Sequence, residues 1–519
     1  MMNHKMKLTL IACLVFQMNA AMAGTTIVNK IKGIGPDAHR ADPWLCVNGE
    51  KVKPGDSIDL AKFKKNPSQG YVGGALRFGG CDEKDSYLGW VSFDVNDNVK
   101  ISGYAPFKDA HITYKNGEVD ASGNLTGEIR LTPIDVNANL MNGKAPASNA
   151  DWQFVGANLS GLEFGKVISP SSTPNLSGEK TENSDLKDTQ AFLSAGMNTF
   201  RIPLSWSYLQ MDGAGKGEIN QEYFNSYVKP LLITLTKAKV MTIVDLHAYM
   251  RYSTYGEEYS GCFDGAKNCP DGKLVLDEKI YQDIWSKIYK AIRDTKEIDM
   301  HYIAFDLMNE PVNVPNELVF TIQATLIKTL RSLGFDNYIL VEGNAWSGLH
   351  SWTTYKWKGS DGKDISNASL FTRKNFADHG ITDLSKILIN VHQYLDKDYS
   401  GTQDDCLTNL KTTDKDSPQY GGFNLQAFVD YLHVDQDGNP NNLKAIVTEF
   451  GITRQKNCLI AMDEFMKYLK DNAARDKEYG FVGWTVWSTG HDWHDYKLRV
   501  TPTDEKMGVL KTYLQPISN

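Results

Sequence analysis

Short apolar, β-rich runs recur eight times after residue 150, and most are followed by a stretch with helical spacing. They are Phe154–Ala157, Thr199–Ile202, Val240–Leu246, Tyr302–Leu307, Tyr338–Val341, Ile387–Val391, Ala445–Val447 and Phe481–Val486. Near-continuous apolar runs indicate parallel strands buried on both faces, because a strand with one wet face alternates instead. Helices fit residues 184–195, Gln221–Lys237, Asp277–Arg293, Asn316–Ser332, Asn424–Leu432 and Leu459–Ala474. The first has Ser184 as an N-cap candidate and Gly196 as its C-terminal stop. Eight strand–helix repeats in roughly 360 residues predict an α/β fold, a (β/α)8 TIM barrel rather than an open doubly wound sheet. No Gly-x-Gly-x-x-Gly loop follows the first run, which removes the main nucleotide-binding alternative.

The chain has 519 residues, more than one hydrophobic core usually serves. A polar joint at Asn142–Ala150 marks the boundary. Before it, residues 24–145 carry short alternating runs at Leu88–Val95, Val99–Tyr104, His111–Tyr114 and Leu125–Leu131, the pattern of a small all-β domain. Its aromatics, among them Trp44, Trp90 and Tyr104, are either core or a sugar-stacking face. The barrel is assigned to residues 150–519.

Residues 1–23 read as an export signal: Lys5 and Lys7, an apolar stretch Leu8–Phe16, then Ala21-Met22-Ala23 before Gly24. The lipoprotein alternative, on Leu10–Cys13, leaves too short an apolar core, and a membrane anchor needs roughly 20 apolar residues. A secreted, extracellular protein is expected. Removing Cys13 with the signal leaves six cysteines. In an oxidising compartment an even count reads as disulfides, with nearest neighbours paired: Cys46–Cys81, Cys262–Cys269 and Cys406–Cys458. The formal net charge of −8 argues against nucleic acid as a partner and fits an uncharged substrate. A monomer is the default expectation.

In a parallel barrel the chemistry sits at the C-terminal strand ends. Reading those ends in order yields Asn158 and Glu163, Arg201, Asp245 with His247, Asn309-Glu310-Pro311, Glu342 with Trp346, His392 with Tyr394, Glu449, and Trp484 with Trp487. Glu310 and Glu449 end the fourth and seventh strands, which face one another across the mouth. Two such carboxylates are what glycosidic bond cleavage requires. His247 and His392 are also zinc-ligand types, but each is isolated, with no His-x-His or His-Glu-x-x-His pair. Neither a metal nor a cofactor is expected.

Residues 152–500 resemble family 5 of the glycoside hydrolases. The resemblance is carried by Asn198–Pro203, Val244–His247, Met308–Pro311, Val391–Tyr394, Val447–Gly451 and Gly483–Trp487, and His392–Cys406 is similar to the strand-six loop of fungal-type endo-β-1,4-glucanases. It implies Glu310 as acid/base and Glu449 as nucleophile of a retaining cellulase acting on β-1,4-glucan. It also implies that Arg201 and Tyr394 contact Glu449, that Asn309 donates to the sugar 2-hydroxyl, and that His247 and His392 bind hydroxyls or orient the carboxylates. Trp487 would stack under the sugar, with Trp206, Trp346 and Trp352 as further platforms along the cleft. Odd spacing puts Trp484 on the opposite face of its strand from Trp487. Ala248 stands where many relatives carry Asn, so one polar contact is lost. Other expectations within the scaffold are a mannanase, a xyloglucanase, a mixed-linkage or β-1,3-glucanase, or a non-catalytic carbohydrate-binding barrel.

Overall fold

The computed structural model describes residues 148–163, 183–253, 261–263, 274–359, 361–407, 425–475, 477–490 and 496–515, and before them chiefly strand segments. Residues 1–23 and Cys269 lie outside the described residues. The chain divides into two units, Met1–Val136 with Gly178–Glu182, and the remainder.

In the first unit the strands Glu50–Val52, Trp44–Val47, Gly70–Arg77, Tyr87–Phe93 and Val99–Gly103 pair antiparallel in that order, with Lys64–Asn66 also on Gly70–Arg77. Two further antiparallel pairs join Thr26–Val28 to Ser57–Asp59 and Ala110–Thr113 to Arg130–Pro133. A disulfide links Cys46 and Cys81.

The second unit is a closed barrel of eight parallel strands in sequence order. They are β1 (Phe154–Leu159), β2 (Thr199–Leu204), β3 (Met241–Leu246), β4 (Ile303–Asp306), β5 (Ile339–Glu342), β6 (Ile387–His392), β7 (Lys444–Glu449) and β8 (Gly480–Thr489). All eight strands predicted from the apolar runs are present. Around them lie α1 (Asn183–Ser194), α2 (Lys229–Lys237), α3 (Glu278–Arg293), α4 (Asn316–Ser332), α5 (Leu425–His433), α6 (Lys456–Asp471) and α7 (Glu505–Lys511). The helix expected over Gln221–Lys237 is interrupted: Pro230 has no N–H to return, and the turn before it widens to π geometry over Phe224–Val228.

α3 illustrates how the outer ring is fixed. The Asp277 side chain caps it by accepting the Ile280 N–H at 2.9 Å. Tyr281, Ile284, Trp285, Ile288 and Ile292 recur at three- and four-residue spacing and are buried, each worth about 1.5–3 kcal/mol of burial. Trp285 also donates its indole N–H to Leu307 O at 2.9 Å, tying the helix to the segment that leads from β4 into the site.

Inside the barrel the strand pleat sorts side chains into layers. An apolar plug closes the N-terminal end: Ile243, Ala304, Leu340, Leu388 and Ile446, with Phe154 and Val482. Two residues further along the same strands, on the same face, stand Asp245, Asp306, Glu342, Asn390 and Thr448, all buried. A polar layer therefore rests directly on an apolar floor. A register shift between Val391 and His392 makes His392 the lateral partner of Glu449. Such irregularities re-aim side chains near functional sites.

Candidate active site

The floor of the site is built around Arg201, which projects from β2 with no exposed surface. Its Nη1 donates to Glu449 Oε1 at 2.7 Å and to Asn158 Oδ1 at 3.1 Å, and its Nε donates to Asp306 Oδ2 at 2.9 Å. Its Nη2 donates to Asn309 Oδ1 at 2.8 Å and lies 3.1 Å from Asp245 Oδ2. A buried charge is tolerated only when paired and hydrogen-bonded, and here one guanidinium serves several strand ends at once.

Glu449 is gripped from above as well. The Tyr394 hydroxyl donates to Oε2 at 2.7 Å. Burial pushes the Glu449 carboxyl up, but the charges of His392, Arg201 and His247 and the Tyr394 hydrogen bond outweigh it and hold the group below its usual range. The Tyr394 phenol is itself pushed well up by burial and the Glu449 charge, so it stays a donor. Gly451 permits the close approach of the chain leaving β7 to the Trp487 carbonyl, which a Cβ would meet at 2.7 Å.

Glu310 sits beyond the end of β4 in a left-handed backbone conformation, φ 46°. Non-glycine residues rarely adopt it, and such strain gathers at functional sites. One oxygen of Glu310 and one of Glu449 lie within 4.8 Å of each other, with His392 between them. His392 Nδ1 is 2.8 Å from Glu310 Oε1 and 3.7 Å from Glu449 Oε2. Burial, followed by the Glu449 and Glu342 charges, pushes the Glu310 carboxyl above its usual range against the opposing His392 hydrogen bond. Burial alone would lower His392, yet the Glu342 and Glu449 charges and the Glu310 hydrogen bond raise it well above the ordinary imidazole value. Two neighbouring carboxyls are thus displaced in opposite directions, which is how an environment assigns one to hold a proton and the other to stay charged.

His247 Nδ1 is 2.8 Å from Asp245 Oδ2, and its ring stacks on Trp487 with centroids 5.5 Å apart and planes 12° apart. These side chains open into a cleft of about 620 Å³. Trp487, Trp346, His350 and Tyr399 are among the side chains that line it. His350 stacks on Tyr399 at 3.9 Å, and burial lowers its imidazole to about 4, so it is a neutral wall residue. Ala345, Trp346 and Ser347 are three successive left-handed residues, and they leave Trp346 54% exposed. Among the described residues, the grouping whose atoms are close enough to hold a metal ion is Glu310, His392 and Glu449.

The structure brings Glu310, Glu449, His247, His392, Tyr394, Trp346 and Trp487 to one cleft, with Arg201 and Asn309 immediately beneath. Two expected platforms are not there. Trp206 is 2% exposed: its indole N–H donates to Gln210 Oε1 at 2.9 Å and its ring packs edge-on against Tyr252 and Tyr281. Trp352 is fully buried against Phe371, Phe428 and Tyr431. Both are core residues. Trp484 is buried against Phe450. Of the other buried partners of Arg201, Asn158, Asp245 and Glu342 were visible only as strand-end residues, and Asp306 was missed. The signal that marks them is a polar residue two positions after a plug residue, as in Ile243-Val244-Asp245 and Leu340-Val341-Glu342. Of the expected disulfides, Cys406–Cys458 is formed, bracing the loop after Tyr394. Cys262 is disulfide-bonded, and its expected partner Cys269 is outside the described residues.

Endoglucanase 1 from Robillarda sp. (strain Y-20) is 30% identical to this chain over 300 residues, 57% of this chain and 66% of that protein. Endo-beta-1,4-glucanase B from Aspergillus niger is 24% identical over 376 residues, 72% of this chain and 92% of that one. Among solved structures, a triple mutant of an endo-beta-1,4-glucanase from Xanthomonas axonopodis pv. citri is similar with a TM-score of 0.51. It is 25% identical, covering 70% of this chain and 98% of that one. The cellulase model of glycosyl hydrolase family 5 matches residues 161–490, the greater part of the barrel, and the chain belongs to that family.

Proposed function

We infer that the protein is a retaining endo-β-1,4-glucanase that cleaves cellulose or a related β-glucan by double displacement. The observation that carries this reading is the Glu310–Glu449 pair, with oxygens within 4.8 Å. Retention needs the two carboxyls about 5–5.5 Å apart, whereas inversion needs about 6.5–9.5 Å to admit a water. Glu449, held charged by Arg201 and Tyr394, attacks the anomeric carbon and forms a glycosyl-enzyme. Glu310 gives its proton to the departing glycosidic oxygen, then takes one from the water that releases the sugar.

Asn309 has its Oδ1 committed to Arg201, and its amide Nδ2 lies 3.4 Å from Nε2 of the cleft-lining His247. From there it donates to the sugar 2-hydroxyl, a bond that strengthens as positive charge builds in the transition state. Trp487, backed by His247, offers an indole face to the reacting pyranose, and Trp346 offers a second one further along the cleft. The choice of β-1,4-glucan follows the named activities of the relatives. The disulfides and the signal-like residues 1–23 support export to an oxidising compartment.

Glu449→Gln and Glu310→Gln should each abolish nearly all turnover of carboxymethyl-cellulose while leaving the fold intact. Full activity in either variant removes that residue's role. NMR of the first-formed product should show the β-anomer. Faster hydrolysis of mannan, xyloglucan or laminarin than of carboxymethyl-cellulose would replace the substrate.

A further inference from the structure

Glu342 ends β5 with no exposed surface, and beyond its charge acting on Glu310 and His392 it has been given no part in binding or catalysis. Its Oε2 accepts the main-chain N–H of Glu310 at 2.7 Å. Its Oε1 accepts Asn390 Nδ2 at 2.7 Å and lies 3.3 Å from His392 Nε2 and 3.4 Å from Arg201 Nη2. Both oxygens only accept, the pattern of an ionised carboxylate. The main chain of Glu342 is clamped in turn by buried Gln323, which donates to Glu342 O at 2.5 Å and accepts the Glu342 N–H at 2.9 Å.

These contacts close a ring. It runs from the Glu310 amide to Glu342, from Glu342 to His392 Nε2, and from His392 Nδ1 back to the Glu310 carboxyl at 2.8 Å. The hydrogen-bond directions within it can be deduced. Asn390 donates its amide to both Asp306 and Glu342, so its Oδ1 takes the Thr448 hydroxyl proton at 2.7 Å. Thr448 Oγ1 can then only accept from His392 Nε2, 3.0 Å away. Nε2 therefore carries a proton, and one mobile proton is left between His392 Nδ1 and Glu310.

We propose that Glu342 is a positioning residue for the acid/base: it holds the Glu310 main chain in its left-handed turn and, through His392, governs the proton that Glu310 shares. This rests on the reading of Glu310 as acid/base. The other charged groups facing the pair are Glu449 on β7, Arg201 on β2, Asp306 on β4, and Asp245 with His247 at β3. Taking a negative charge away from Nε2 makes the shared proton easier to lose, so the alkaline limb of the pH profile moves to lower pH.

Two variants and two substrates test this. Glu342→Gln keeps an acceptor for the Glu310 amide and removes the charge, whereas Glu342→Asp keeps the charge and draws the oxygen away from the amide. A dinitrophenyl cellobioside has a leaving group that departs without a proton, whereas a cellodextrin requires one. We expect kcat/KM on the cellodextrin to fall about 10- to 100-fold in both variants, with dinitrophenyl cellobioside within about twofold of the parent by the same positioning logic. The alkaline limb should drop by about one pH unit in Glu342→Gln and stay in place in Glu342→Asp. Equal losses on both substrates with an unmoved limb, in variants with parental circular dichroism, would overturn the proposal. Glu310→Ala in the same assay keeps the premise separate: if it shows no leaving-group dependence, the reading of Glu310 itself fails.

Discussion

Arg201 Nη1 meets Glu449 Oε1 at 2.7 Å, joining residues 248 positions apart across the barrel floor. The guanidinium is fully buried, and its other partners include Asp245, Asp306 and Glu342. Arg201→Met would leave these acids without their common cation. Removing one partner of a buried ion pair costs about 3–5 kcal/mol, so we expect a loss of that size in urea denaturation. Activity should collapse as well, because Glu449 loses a charge that keeps it ionised.

Opposed displacement of the two carboxyls fixes the sign of the pH dependence. In the proposed mechanism Glu449 attacks as a carboxylate, so activity should rise as pH climbs through its lowered pKa. Glu310 acts in its protonated form there, so activity should fall as pH passes through its raised one. Tyr394→Phe removes a hydrogen bond to the charged form of Glu449 only. The acid limb of kcat/KM should therefore move to higher pH while the alkaline limb holds, measured on a soluble cellodextrin.

Trp346 and Trp206 should respond in opposite ways. Trp346 is 54% exposed on the cleft wall, so Trp346→Ala should raise KM for long cellodextrins several-fold with little change in melting temperature. Trp206 is core, and Trp206→Ala should cost about 3–5 kcal/mol of stability with KM unchanged in the folded fraction. Calorimetry beside steady-state kinetics separates the two.

The Cys406–Cys458 bridge closes a segment of 52 residues. Chain entropy assigns such a loop about 4 kcal/mol. Cys458→Ser should lower the denaturation midpoint accordingly, with a larger KM as the loop after Tyr394 loosens.

Strand count, strand order and the two carboxylates were legible in the linear chain because each is a local pattern. Apolar runs such as Val240–Leu246 report burial on both faces, and Asn309-Glu310-Pro311 and Thr448-Glu449-Phe450 stand where those runs end. Tryptophan roles were less legible. Trp206 and Trp346 both follow strand ends, yet one turns into the wall and the other, carried by three left-handed residues, into the cleft.

The sequence by itself determined an alternating strand–helix chain and the chemistry available at each strand end, since both follow from period and residue type. Only the tertiary structure decided which of those groups meet. Barrel closure sets Arg201 among acids from several different strands, the register shift at His392 puts it beside Glu449, and Glu342 reaches the amide of Glu310 from the neighbouring strand. Those are distances between strands, fixed by closure and stagger, and no local stretch of sequence encodes them.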